Sequence, residues 1–185
     1  MKKLIFLSLL FFVPSAYSMQ TEVGLSYGYK TTYFTEDNFE KSDSASANVS
    51  FYFWEKIALE LSYTQQQIQR EEKFGSDADI RRIYQNTQYY GGDLILILAD
   101  KKSLLQPYIK GGAAYFLKEQ TMKTGTNSTQ VQPDESGTVP SYGVGLRVAI
   151  SERLNIRFSY DVWNTDLAGI EKKDTFFKAG LTWVL

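Results

Sequence analysis

Period-two alternation of apolar and polar residues, repeated in runs separated by turn-forming segments, constrains this chain more than any other feature. Successive side chains of a strand point to opposite faces, so each run describes a strand with one apolar face. Eight runs are present, over residues 22–30, 44–53, 57–64, 83–98, 109–117, 142–150, 154–162 and 176–185. The sixth is the clearest: Tyr142, Val144, Leu146, Val148 and Ile150 alternate with Gly143, Gly145, Arg147 and Ala149. The fourth is the least regular, because Leu94-Ile-Leu-Ile-Leu98 is apolar on both faces after Gly91-Gly92-Asp93. A bulge at that point would shift the register by one residue.

The connections alternate in length. Residues 54–56, 99–103 and 151–153 read as short turns, whereas 31–43, 68–82, 118–139 and 163–174 are long and polar. Short turns therefore lie at one end of the sheet, together with both chain ends, and long loops lie at the other. This is the pattern of an even-numbered up-and-down barrel in a membrane.

Alternation alone does not say which face points inward, since a soluble sheet buries its apolar side. The polar face here carries small residues such as Gly24, Gly28, Gly112, Gly143, Gly145, Gly180, Ser26 and Ser46, suited to a narrow lumen. It also carries charges of both signs, Glu22, Lys30, Glu60, Asp93, Lys110, Arg147, Arg157, Asp161 and Lys178, which are expected to form a mutually neutralising network inside. Aromatic residues gather toward strand ends. Phe53, Trp54 and Trp183 lie near the short turns, and Tyr29, Tyr33, Tyr63, Tyr90, Tyr115, Tyr142, Tyr160 and Trp163 lie toward the long loops, as two interfacial girdles would require. The expected fold is all-β: an eight-stranded antiparallel up-and-down transmembrane β-barrel.

Residues 1–18 precede it, with Lys2 and Lys3, an apolar run from Leu4 to Val13, and small residues at Ala16 and Ser18. They are expected to form a signal peptide cleaved after Ser18, leaving residues 19–185 as the barrel domain. A ten-residue apolar helix spans about 15 Å, half a bilayer. Past it, no apolar stretch is long enough to cross as a helix.

Composition narrows the chemistry. With 20 Lys+Arg against 21 Asp+Glu, no basic excess supports nucleic-acid binding. There is no Cys and no His, which removes thiolate metal sites, disulfides and the usual general base. Neither a cofactor nor a metal is expected. Asp77 and Asp79 lack the remaining positions of a calcium loop, and residues 71–79 and 124–130 read as solvated loops.

Over essentially all of residues 19–185 the chain resembles the small bacterial outer-membrane barrels of the OmpA and OmpX kind. Gln106-Pro-Tyr-Ile-Lys-Gly-Gly-Ala-Ala-Tyr115 is similar to their fifth strand, and the end of the chain, with Lys178, Gly180, Trp183 and Leu185, resembles their assembly signal. Leu185 stands where that family most often ends in Phe. The resemblance implies the outer membrane of a Gram-negative cell, contact with its lipids and lipopolysaccharide, and handling by periplasmic chaperones and the barrel-assembly machinery. Nothing corresponds to the cell-wall-binding domain of the OmpA kind, so no peptidoglycan role is expected.

The function expected is structural or surface-interacting, with long loops presenting an extracellular ligand site on a barrel plugged by its own charges. A narrow porin-like channel is the alternative. Barrel enzymes acting on envelope lipids rely on His to move protons, so an enzyme is not expected.

Overall fold

The computed structural model describes residues 20–33, 38–73, 80–100, 102–124, 128–164 and 173–185. Residues 1–18, and with them the expected leader, lie outside these, as do Asp77 and Asp79. The described residues form β1 (Gln20–Tyr33), β2 (Phe39–Trp54), β3 (Ile57–Lys73), β4 (Ile80–Ile97), β5 (Leu105–Thr124), β6 (Ser128–Val131), β7 (Glu135–Ala149), β8 (Leu154–Asn164) and β9 (Lys173–Val184). Eight of them pair antiparallel in a closed ring, β1-β2-β3-β4-β5-β7-β8-β9, and β1 returns to β9. The short β6 pairs with the end of β5, outside the ring.

Closure is possible because the chain's two faces differ as they do. Leu25, Leu94, Ile109, Val144, Phe177 and Leu181 point outward and are 45–70% exposed. Buried side chains include more polar and charged residues than apolar ones. An apolar outer surface of that extent suits hydrocarbon rather than water, and pairing every edge leaves no unsatisfied backbone row for lipid to meet.

Three expectations are corrected. The segments 31–43, 68–82 and 118–139 are largely strand: β2 through β5 run 16, 17, 18 and 20 residues, against 15, 11 and 12 for β7 through β9. About 9–11 residues suffice to cross a membrane, so β2–β5 form a wall that stands above the rest of the ring. Those extensions are mostly polar, with Phe39, Ile68, Ile80, Ile83 and Met122 as apolar exceptions, and regular alternation fades while the ladder hydrogen bonds continue. Second, the irregularity is not at Gly91–Asp93, where β4 keeps register with both neighbours; it lies between Tyr52 and Trp54 on β2. Third, residues 128–131 form β6 rather than loop.

The small residues at the ring wall are set by close approach. Gly112 on β5 sits opposite Asp93, and a Cβ there would overlap the Gly92 carbonyl oxygen on β4. Gly112→Ala is expected to cost about 1–3 kcal/mol, as overpacking against backbone does. Urea unfolding in phospholipid vesicles measures it, and a loss under about 0.5 kcal/mol would show that the strands separate freely at this point.

At the short-turn end, Lys56 Nζ lies 2.8 Å from Asp100 Oδ1, tying two turns together. Each partner stabilises the other's charge, raising the Lys56 pKa and lowering that of Asp100. Both are exposed, so the pair adds little stability.

Candidate functional site

Strand alternation brings one residue in two from every ring strand into the interior, and the residues there form three tiers. Nearest the short turns is an apolar tier of Tyr52, Ala58, Ile95, Ile97 and Tyr108. Toward the tall wall is a second, of Tyr89, Ala114, Phe116, Val139, Trp163 and Phe176. Tyr89 stacks on Trp163 with ring centroids 4.3 Å apart, and Phe176 lies 4.6 Å from Trp163. Glu60, Asp93, Lys110, Arg157, Asp161 and Lys178 lie between these tiers, and Glu22 and Arg147 lie beside Tyr52 on the short-turn side.

Arg147 Nη2 on β7 is 2.7 Å from Glu22 Oε1 on β1. The same guanidinium donates to the Tyr52 hydroxyl, which in turn donates to Glu22 Oε2 at 3.1 Å. Arg157 on β8 grips Glu60 on β3 with both terminal nitrogens and donates from Nε to the Tyr108 hydroxyl at 2.6 Å. Asn48 and Ser50 on β2 add donors to Glu60 Oε2, at 3.0 and 3.1 Å. Lys110 Nζ is shared by Asp161 at 3.0 Å, Glu60 at 3.5 Å and Asp93 at 3.6 Å. Ser141 donates to Asp93. Lys178 Nζ pairs with Asp161 at 3.2 Å, donates to Thr64 Oγ1 at 3.2 Å, and lies 4.7 Å from the Trp163 ring centroid.

Eight of the nine expected interior charges are therefore buried and brought together. Lys30 is the exception. It lies on the inward-facing side of β1 but near that strand's outer end, where it is exposed. Without it the network holds four carboxylates and four cations and is formally neutral. Neutrality matters because an unpaired ion in such a site carries several kcal/mol of desolvation cost, while attraction at ~4 Å and an effective dielectric of ~20 returns about 4 kcal/mol per pair.

The expected girdle positions point outward: Tyr29, Tyr63, Tyr90, Tyr115, Tyr142 and Tyr160 are 37–57% exposed, and Phe53, Trp54 and Trp183 are 37–60% exposed. The Tyr33 side chain lies outside the described ones. Trp163 is corrected: it is 4% exposed and faces inward, roofing Lys178. At the chain end Lys178 is buried in the network, Gly180 packs against Leu25 and Ser26 of β1, and Trp183 and Leu185 point out.

Reading by residue type passed over the interior aromatics. Tyr108 donates to the Phe158 carbonyl and accepts from Arg157, and a Cβ on Gly145 would overlap its ring. The Tyr108–Gly145 pairing is the signal that a large inward ring needs a glycine across from it.

A vestibule of about 260 Å³ opens at the short-turn end, lined by residues including Gln20, Lys102, Gln106 and Glu152, and bounded inside by Tyr52 and Arg147. The central void among Glu60, Lys110, Arg157, Asp161, Lys178 and Thr182 is about 20 Å³, room for about one water. Among the described residues no cluster of acidic side chains is placed to hold a metal ion.

Comparison with known proteins adds the family. The family described as "Outer membrane protein beta-barrel domain" matches residues 4–184. No curated protein matches the sequence. Among solved structures, the N-terminal beta-barrel domain of Pseudomonas aeruginosa OprF is similar at 17% identity and a TM-score of 0.57, covering 90% of this chain and 97% of that one. Ail, the attachment invasion locus protein of Yersinia pestis, is similar at 14% identity and a TM-score of 0.55, covering 90% and 99%. Neisserial surface protein A is similar at 12% identity and a TM-score of 0.52, covering 89% and 96%. At these identities the likeness is one of fold.

Proposed function

Because the chain belongs to the outer membrane protein beta-barrel domain family, we propose that it is a sealed, non-enzymatic barrel of the bacterial outer membrane whose tall β2–β5 wall serves surface interaction. The observation that carries this reading is the neutral set of interior charges, six of them held between two apolar tiers with room for about one water at their centre. A porin needs a continuous aqueous path, and here Arg147, Arg157 and Lys110 are each engaged by carboxylates across the lumen. Removing such side chains from the path would break buried pairs.

In this reading residues 1–18 direct export and are cleaved after Ser18. Periplasmic chaperones deliver the chain, and the barrel-assembly machinery recognises the segment carrying Lys178, Gly180, Trp183 and Leu185. Outer-membrane lipids and lipopolysaccharide surround the apolar belt. The extracellular end then presents polar strands to a ligand, as the surface is where binding residues gather on a rigid scaffold. One structural relative supports that possibility in kind: Ail has been solved in complex with the heparin analogue sucrose octasulfate.

Planar-bilayer recording tests the seal. The reconstituted protein is expected to show no steady single-channel current above baseline. A stable open level of porin size would refute the sealed barrel and favour the narrow channel.

A further inference from the structure

The vestibule at the short-turn end has no part in sealing the barrel, yet its inner wall is built from buried polar groups. Asn155 reaches it from β8 and is 5% exposed, and its carboxamide has no hydrogen-bond partner among the described residues. Two groups on the neighbouring strands are in the same condition. Arg147 Nε on β7 and Thr182 Oγ1 on β9 are buried and without a partner among the described residues, and Thr182 stands directly across the ladder from Asn155. Buried polar groups are nearly always hydrogen-bonded. Three such groups on adjacent strands mark a place short of acceptors, which the chain itself does not supply.

The inner end carries no net charge, because Glu22 lies 2.7 Å from Arg147. The guanidinium spends one N–H on Glu22 and one on the Tyr52 hydroxyl, and keeps the others to give. The mouth differs. Glu55 of the β2–β3 turn and Glu152 of the β7–β8 turn line it from opposite sides of the ring, with Lys102 of the β4–β5 turn between them, and all three are exposed. Among the described residues the mouth therefore presents two carboxylates against one ammonium, which favours a cation there. A space of about 260 Å³ falls below the ~300–1,000 Å³ of drug-sized ligand pockets, so its occupant is small.

We propose that the vestibule binds a small zwitterion, its carboxylate inward on Asn155 and the spare N–H groups of Arg147, its ammonium at the mouth between Glu55 and Glu152. A carboxylate brings the acceptors that the inner end lacks, and charge-assisted bonds of this kind are roughly twice as strong as neutral ones. A simple anion meets Glu55 and Glu152 on its way in, and a simple amine brings no acceptor to Arg147. The site goes beyond the surface role proposed above, since it lies at the end of the barrel away from the tall wall and stands whether or not that wall has a partner.

The probe is ε-aminohexanoate, which carries both charges on a short chain. Its controls are ω-hydroxyhexanoate and ω-aminohexanol, which have the same length and lack one charge each. Titrated against the barrel in phospholipid nanodiscs and followed by the side-chain amide resonance of Asn155, the zwitterion is expected to bind about tenfold tighter than either control. Asn155→Ala, followed by calorimetry, is expected to weaken zwitterion binding about tenfold and to leave aminohexanol unchanged. Glu55→Gln with Glu152→Gln is expected to weaken both amines and to leave hydroxyhexanoate no weaker. Those two residues stand in exposed turns, so this pair decides the matter even if Asn155→Ala does not fold, which gel mobility before and after boiling reveals. No saturable shift at millimolar probe overturns the proposal. So does a control that binds as tightly as the zwitterion, or zwitterion affinity that survives the turn substitutions. None of these outcomes touches the conductance test of the sealed barrel.

Discussion

Replacing Glu60 with alanine is expected to lower the unfolding free energy of the membrane-embedded protein by about 3–5 kcal/mol, because it strands buried cations that have no access to water. Glu60 is 2% exposed and accepts from Arg157, Lys110, Asn48 and Ser50. Its removal deletes the sole carboxylate partner shown for Arg157 among the described residues and one of three for Lys110. Replacing both members, with Glu60→Leu and Arg157→Met together, is expected to recover most of the loss, since apolar groups of similar volume leave no ion behind. Urea titration in phospholipid vesicles, followed by the fluorescence of the three tryptophans, gives both numbers. A Glu60→Ala loss below about 1 kcal/mol would mean that the interior is wet enough to solvate a free guanidinium.

The second large effect lies on the other face. Leu181 on β9 is 54% exposed and sits between Leu25 of β1 and Ile156 of β8. Leu181→Arg is expected to cost about 2–4 kcal/mol if this position is near the bilayer midplane. Ser159→Ala, one strand away but inward, loses a single 3.4 Å bond to Asp161 and is expected to cost under about 1 kcal/mol. In a water-soluble sheet the order would reverse, because arginine at a half-exposed surface site is nearly free. The same vesicle assay on the two variants decides between those solvents.

The parts of this fold legible in the sequence are those where the two faces meet different media. Tyr142 to Ile150 alternates plainly because one face meets lipid and the other meets the charge network. Past Tyr63 the β3 strand runs another ten residues, to Lys73, yet from residue 68 onward it reads as loop, because outside hydrocarbon the outer face gains nothing from being apolar and the alternation fades. Parity was readable and depth was not. Lys30 shares the inward parity of Glu22 but ends up exposed near the end of β1, and Trp163 shares the inward parity of Asp161, which its position near a strand end obscured. The charge set could be listed from alternation, but its pairing could not. Arg147 meets Glu22 across 125 residues of chain and Arg157 meets Glu60 across 97, distances that only the closed ring makes short.

The β1–β9 ladder pairs Glu22–Val184 through Tyr27–Ala179, with one further bond from Leu185 to the Thr21 carbonyl, and it joins the first and last of the described strands. Across that seam Glu22 of β1 reaches Arg147 of β7, whereas Lys178 of β9 meets Asp161 on its own ladder neighbour β8. A curled sheet that has not yet zipped along this line would leave Glu22 and Arg147 apart. Closing the ring and pairing these two ions are thereby one event.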